Sequence, residues 1–157
     1  MAVHNLMWVA TSSAVGMKEV IQSALDWLTG DYAEIKCEKV RSYHGPKMVM
    51  MRAYVGNKKD ATNAVCHLGA DLLNSLGESN QLSDRIDESN TLHIRLDLAA
   101  LVRGEIHLAD ESSLEIVKGR IKLEVYPGQD VLQRAKDMLE NAASKAYQND
   151  FPISLDT

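Results

Sequence analysis

The stretch that decides the fold is Asp84–Gly104, which reads DRIDESNTLHIRLDLAALVRG. From Thr91 to Asp97 hydrophobic residues occupy every second position, and polar residues lie between them. A period of two predicts a half-buried β-strand. Asp97 has the position and chemistry of a helix N-cap, so a short helix is expected at Leu98–Val102, with Gly104 just past its end.

Basic and imidazole side chains gather on this strand and its flanks, at Arg85, His93, Arg95 and Arg103. The simplest interpretation is that they are solvated, because polar residues opposite a buried face are the default in antiparallel sheets. For Arg85, between two aspartates, a local salt bridge is the expected role. The alternative is that His93, Arg95 and Arg103 line a binding surface.

Length and composition indicate one globular domain spanning residues 1–157, with a core at 4–126 and a C-terminal helix at 129–147. Neither a membrane-spanning run nor a signal peptide is visible, so the cytoplasm is the expected compartment. The two cysteines, Cys37 and Cys66, cannot form a disulfide framework. Both are expected to be small buried hydrophobes.

The formal net charge of -5 argues against an indiscriminate nucleic-acid binder. The charge is uneven, however, because basic residues outnumber acidic ones between Ala33 and Asp60. Salt screens charge over about 10 Å, so a local basic face can act on a molecule that is acidic overall. The basic residues of this segment are Lys36, Lys39, Arg41, Lys47, Arg52, Lys58 and Lys59.

The hydrophobic pattern predicts the order β-α-β-β-α-β-(short α)-β-β-α. Its second helix runs from an N-cap at Asn57 to Gly77, and its last two strands are Glu105–Leu108 and Leu114–Tyr126. Short connections favour antiparallel pairing. The expected fold class is therefore α+β, a mostly antiparallel sheet with amphipathic helices packed on one face, in a two-layer sandwich.

No motif of a common catalytic or cofactor site occurs. The chain lacks GxxxxGK[ST], GxGxxG, GxSxG and any Cys/His spacing typical of zinc. We therefore expect no catalytic residue, metal or cofactor. A single Phe argues against the aromatic strands of an RNA recognition motif.

What remains is a set of cations and imidazoles suited to phosphates, so RNA is the expected partner and no membrane is expected. Four of them would contact the RNA backbone, and three would line the same face. The first group is Arg41, His44, Lys47 and Lys58; the second is His93, Arg95 and Arg103.

Four segments together resemble an archaeal RNA-binding protein family described as a predicted exosome subunit. They are Tyr43–Gly45, the DRIDE block at Asp84–Glu88, the LHIRLD block at Leu92–Asp97, and Arg103–Glu105. The resemblance covers most of the chain to about Tyr126. It implies a fold similar to that of ribosomal protein L-five, which binds the smallest ribosomal RNA. It also implies a cytoplasmic role in RNA processing, with exosome or other RNA-processing proteins as partners.

Two other functions stay open. A small metal-independent enzyme could cleave RNA or another phosphoester, with His93 and His107 as acid and base and Arg95 stabilising the developing charge. Alternatively, the exposed sheet face could serve as a protein-interaction module or a homodimer interface.

Overall fold

The computed structural model of the protein describes residues 3–13, 17–41 and 47–152, and of Arg41 only the backbone. Five strands and five α-helices follow one another in the described segments. They are β1 (Val3–Ser12), α1 (Lys18–Leu28), β2 (Glu34–Arg41), β3 (Lys47–Val55), α2 (Lys58–Cys66), α3 (Ala70–Glu78), β4 (Thr91–Asp97), α4 (Leu98–Val102), β5 (Ile116–Leu123) and α5 (Val131–Gln148). A short 3-10 helix at Leu82–Arg85 lies between α3 and β4.

The strands form one sheet in the order β2-β3-β1-β5-β4, and every neighbouring pair is antiparallel. β3 lies between β1 and β2, and β1 lies between β3 and β5. β1, α1 and β2 therefore form a split β-α-β unit, with β3 inserted between its two parallel strands. β1 is the middle strand, and β3, whose apolar run is typical of an inner strand, is paired on both sides. The predicted fold class is confirmed.

The helices pack on one face of the sheet. Alternate residues of β1, among them Leu6 and Trp8, are buried in one cluster with the apolar faces of α1, α2 and α5. Sheet burial of this kind stabilises by about 25 cal/mol per Å² of apolar area. The residues between them, such as Met7 and Val9, point to the opposite face, where no described helix lies. That uncovered side is called the open face below.

The predicted long helix from Asn57 to Gly77 is two helices. Its start is correct, because the Asn57 side chain accepts hydrogen bonds from the backbone N–H groups of Lys59 and Asp60. It breaks at Gly69, whose φ of +91° is not helical and favours glycine. A Cβ at this position would lie 2.7 Å from Cδ of Pro152, so the chain turns where the C-terminal segment packs against it.

Other predicted elements changed in extent. Glu105–Leu108 is not a strand but a single bridge between Leu96 and Leu108. The strand expected at Leu114–Tyr126 is shorter in the structure. β5 runs over Ile116–Leu123, and its pairing with β1 and β4 lies within that range. Asp97 caps α4 as predicted, accepting from the N–H of Ala99.

The two cysteines lie in different environments. Cys66 is buried in the core, as predicted, and burial raises the pKa of its thiol. Cys37 is exposed, so its prediction as a buried residue was wrong. Its position on β2 has the parity of the buried face, but β2 is the edge strand and no described helix covers it there.

Candidate nucleic-acid interface

A row of cations crosses the open face at right angles to the strands. Lys36 of β2 lies directly opposite Arg52 of β3, and Arg52 lies opposite Val9 of β1. Val9 also faces Lys118 of β5, and Lys118 faces Arg95 of β4. We call Lys36, Arg52, Lys118 and Arg95 the cation row. At ~4.8 Å between strands, it spans roughly 19 Å across the sheet.

The row contains two like-charged pairs in directly opposite positions, Lys36–Arg52 and Arg95–Lys118. Such cross-strand pairs hold their Cβ atoms about 5 Å apart and destabilise the sheet. Arg120, two residues from Lys118 on β5, adds a further positive charge to the same face. The folded chain therefore concentrates positive charge where the sheet alone would not favour it.

Few carboxylates compensate these cations. Arg52 Nη1 lies 3.1 Å from Oε1 of Glu38, in a pair whose side chains are 43% and 55% exposed. Exposed pairs of this kind contribute little and exchange readily. Among the described residues, Arg95, Lys118 and Arg120 make no ion pair. Their positive charge is free to attract an anion.

A groove of about 630 Å³ lies on the same face. Its apolar floor consists of Met7, Val9, Met48, Met50 and Ile116. The acidic residue that lines it, Glu115, is engaged elsewhere: its carboxylate accepts from Ser12 Oγ and Ser13 N, both at 3.0 Å. The groove thus offers an apolar surface bordered by Arg52, Arg95, Lys118 and Arg120, of which Arg52 alone forms an ion pair among the described residues.

Only two of the residues predicted to contact RNA lie on the open face of the described chain, His93 and Arg95 of β4. His93 is not free, because its Nε2 lies 2.7 Å from Oδ2 of Asp87. This hydrogen bond, with the N–H groups of Thr91 and Ser89, lowers the pKa of Asp87. The carboxylate is therefore held in its charged form beside the imidazole.

The other predicted residues lie elsewhere or outside the described segments. Lys47 is two residues from the buried Val49 on β3, so both lie on the helical side of the sheet. The backbone of Lys47 pairs with that of Arg41. Arg103 follows α4, a helix that contacts α1, and lies 3.4 Å from Glu105. His44 falls outside the described residues. The prediction of one continuous surface therefore fails for Lys47 and Arg103.

Lys58 has a different partner from the one predicted. Its Nζ donates to Oε1 of Glu124 at 2.7 Å, and the hydroxyl of Tyr126 donates to the same oxygen at 2.5 Å. These two hydrogen bonds lower the pKa of Glu124 from 4.5 to about 2, and the bond from Lys58 has the larger effect. Lys58 therefore joins the start of α2 to the chain after β5.

Replacing Glu124 by Gln should flatten the acid side of the stability profile. A carboxylate with a depressed folded pKa stabilises the protein above its unfolded pKa, and that stability is lost as pH falls through 4.5 towards 2. We expect urea midpoints of the variant to change less with pH in that window than those of the wild type. A conservative control is Glu111→Gln, on an exposed turn. Equal slopes for Glu124→Gln and wild type would contradict the expectation.

Arg52, Lys118 and Arg120 were not among the residues predicted to contact RNA. Their alternation with apolar residues along the strands is readable in the sequence. What could not be read was that β5 lies between β1 and β4, which brings Lys118 beside Arg95. In the described segments, no group of three or more His, Cys, Asp or Glu side chains could hold a metal ion, and no helix is suited to span a membrane.

Comparisons with known proteins show a family and a fold for this chain. A family model described as RNA binding matches residues 13–125. Among solved structures, the fold is similar to a DUF54-family protein from Archaeglobus fulgidus, with a TM-score of 0.70, 23% identity, and coverage of 87% of this chain and 99% of that chain.

Two further archaeal structures share the fold. A DUF54 protein from Methanothermobacter thermautotrophicus has a TM-score of 0.69 at 19% identity, covering 91% of this chain and 99% of that chain. A DUF54-family protein from Sulfolobus solfataricus has a TM-score of 0.63 at 11% identity, covering 87% and 98%. No curated protein matches the chain.

Proposed function

Because the chain belongs to the RNA-binding family whose model matches residues 13–125, we propose that it binds RNA on the open face of its sheet. The cation row would contact the phosphates, with Arg120 beside it. This assignment retains Arg95 from the sequence prediction and replaces most of the other candidates by cations of β2, β3 and β5.

The observation that carries the proposal is that the row holds two like-charged pairs in directly opposite positions of neighbouring strands. Two directly opposed cation pairs raise the free energy of the unliganded sheet. A polyanion that lies along the row relieves this repulsion and releases its own counterions, which is the main source of nucleic-acid affinity. The apolar strips of the helical face already form the core, so the open face is the side of the sheet that remains for a ligand.

The net charge of -5 fits this arrangement. Acidic residues elsewhere on the surface repel RNA, and salt confines each charge's influence to about 10 Å at 0.1 M.

We also propose a biological setting for this binding. The resemblance seen in the sequence supports an accessory role in RNA processing or degradation, related to the exosome, in the cytoplasm, and a fold similar to that of ribosomal protein L-five. A homodimer formed through the exposed sheet face is a further proposal. We propose binding without catalysis.

The enzymatic alternative loses its main geometric requirement. Backbone hydrogen bonds from Asp97 N to His107 O and from Ala109 N to Arg95 O place His107 opposite Asp97. His93 lies four residues away along β4, roughly 13 Å at 3.3 Å per residue. An acid/base pair acting on one phosphate needs imidazoles that converge, and a separation of roughly 13 Å between the two backbone positions does not support that.

Binding of labelled RNA across a salt series tests the proposal. The variant Lys118→Gln with Arg120→Gln removes two cations of the open face, and Lys59→Gln with Lys136→Gln removes two exposed cations of the helical side. At about 0.1 M salt each lost phosphate contact costs roughly fivefold for a single strand. We therefore expect about 25-fold weaker binding for the first variant and a salt slope smaller by ~1.4.

The control should stay within about twofold of the wild type, because it changes the net charge equally without touching the open face. Equal losses in both variants would show a response to net charge alone. No salt-dependent binding by the wild type at low salt would refute the proposal.

A further inference from the structure

We infer that the open face takes single-stranded RNA, with the phosphates along the cation row and unpaired bases against the apolar floor. The inference rests on the proposed function and names the class of RNA. It follows from the arrangement of apolar residues on both sides of the row.

The apolar floor is rich in methionine and is left uncovered. Met7, Met48 and Met50 account for three of the chain's seven methionines, and all three are half-buried on the open face. Methionine has an adaptable side chain and a polarizable sulfur that makes favourable contacts with aromatic rings. A surface of this kind suits flat ring systems of varied shape.

The sheet register places this floor beside the cation row on both sides. Met50 of β3 is two residues from Arg52 in one direction, and Met7 of β1 is two residues from Val9 in the other. Ile116 of β5 is two residues from Lys118 on the same side as Met50. A backbone that runs across the strands along the row can therefore direct its bases along the strands onto apolar residues.

A duplex would not use this floor. Paired bases are stacked inside the helix, and A-form RNA presents phosphates and 2′-hydroxyls. An apolar surface gains free energy when it covers another apolar surface, which the outside of a duplex does not provide. Unpaired bases do expose their faces, and every base has one, so binding should tolerate different sequences.

The first test compares an unpaired RNA with the same strand annealed to its complement, at equal salt. We expect the unpaired strand to bind at least tenfold more tightly. An oligomer of the same length that carries abasic residues should also bind at least tenfold more weakly than the unpaired strand, because it keeps the phosphates and loses the bases.

The second test uses the variant Met7→Thr with Met50→Thr, since threonine keeps the strand preference and removes the apolar contact. We expect about tenfold weaker binding of unpaired RNA with an unchanged salt slope, and no effect on the abasic oligomer. Met17→Thr, an exposed methionine at the start of α1, is the matched control and should bind as the wild type does. Thermal melts verify that each variant is folded.

The failures of the two proposals are distinguishable. Equal affinity for duplex and unpaired RNA, or for the abasic oligomer, overturns the single-strand inference, while dependence on Lys118 and Arg120 still supports RNA binding on this face. Loss of that dependence, or absence of binding to every RNA tested, overturns both.

Discussion

Replacing Arg95 by Glu should make the protein more stable and at the same time weaken its binding of RNA. The side chain lies directly opposite Lys118 and makes no ion pair with any described residue. A glutamate there converts a repulsive cross-strand pair into an attractive one, worth about 0.5–1 kcal/mol in the free energy of unfolding. Because a phosphate contact is lost and a repulsive charge is added, we expect roughly 25-fold weaker binding at about 0.1 M salt.

Urea denaturation and RNA titration of the same preparations measure the two effects. Arg95→Gln removes the repulsion without adding attraction, so it should fall between wild type and Arg95→Glu in both measurements. The gain in stability should shrink in about 1 M salt, where the screening length is ~3 Å. A destabilised Arg95→Glu, or one that binds RNA as the wild type does, would argue that the row has another purpose.

Gly119→Ala should destabilise the fold by about 2–3 kcal/mol, although it adds a single methyl group. Gly119 of β5 lies directly opposite Trp8 of β1, and the indole covers it. A Cβ at this position would lie 2.4 Å from Cζ3 of Trp8, closer than van der Waals contact allows. Trp8 is 1% exposed in the core, so the ring has no free space into which it can move.

Gly77→Ala is the matched control. Its added Cβ would lie 3.6 Å from Cβ of Leu139, which is ordinary contact, and the position is helical. We expect it to be neutral or stabilising by up to about 1 kcal/mol. Combining Gly119→Ala with Trp8→Leu should recover part of the loss, with a coupling energy of about 1–3 kcal/mol in chemical denaturation. Additive losses would mean that the indole is not the obstacle.

Where the chain carries local signals, the sequence predicted structure well. Thr91–Asp97, the cap at Asp97 and the cap at Asn57 are confirmed, because alternation and capping depend on neighbours within a few residues. The break at Gly69 was not predicted. The helical spacing of apolar residues continues on both sides of Gly69, so the sequence shows no interruption there. The residue that packs against Gly69 is Pro152, which lies far along the chain.

The candidate site was predicted in chemistry and less well in position. An RNA partner and a basic face on a negatively charged chain were both predicted from residue types, and Arg95 lies on the outward side of its strand as expected. Lys58 was assigned to RNA because its partner, Glu124, is 66 residues away in sequence. Lys118 and Arg120 were overlooked because strand order cannot be derived from strands considered one at a time.

The sequence by itself determined that the chain is an α+β protein with half-buried strands, amphipathic helices and polar strand faces rich in cations. These properties follow from side-chain periodicity, which the local backbone geometry imposes. Only the tertiary structure decided that β5 lies between β1 and β4, and that β3 lies between β1 and β2. That order arises from long-range burial of apolar faces, and it aligns Lys36, Arg52, Lys118 and Arg95 in one row.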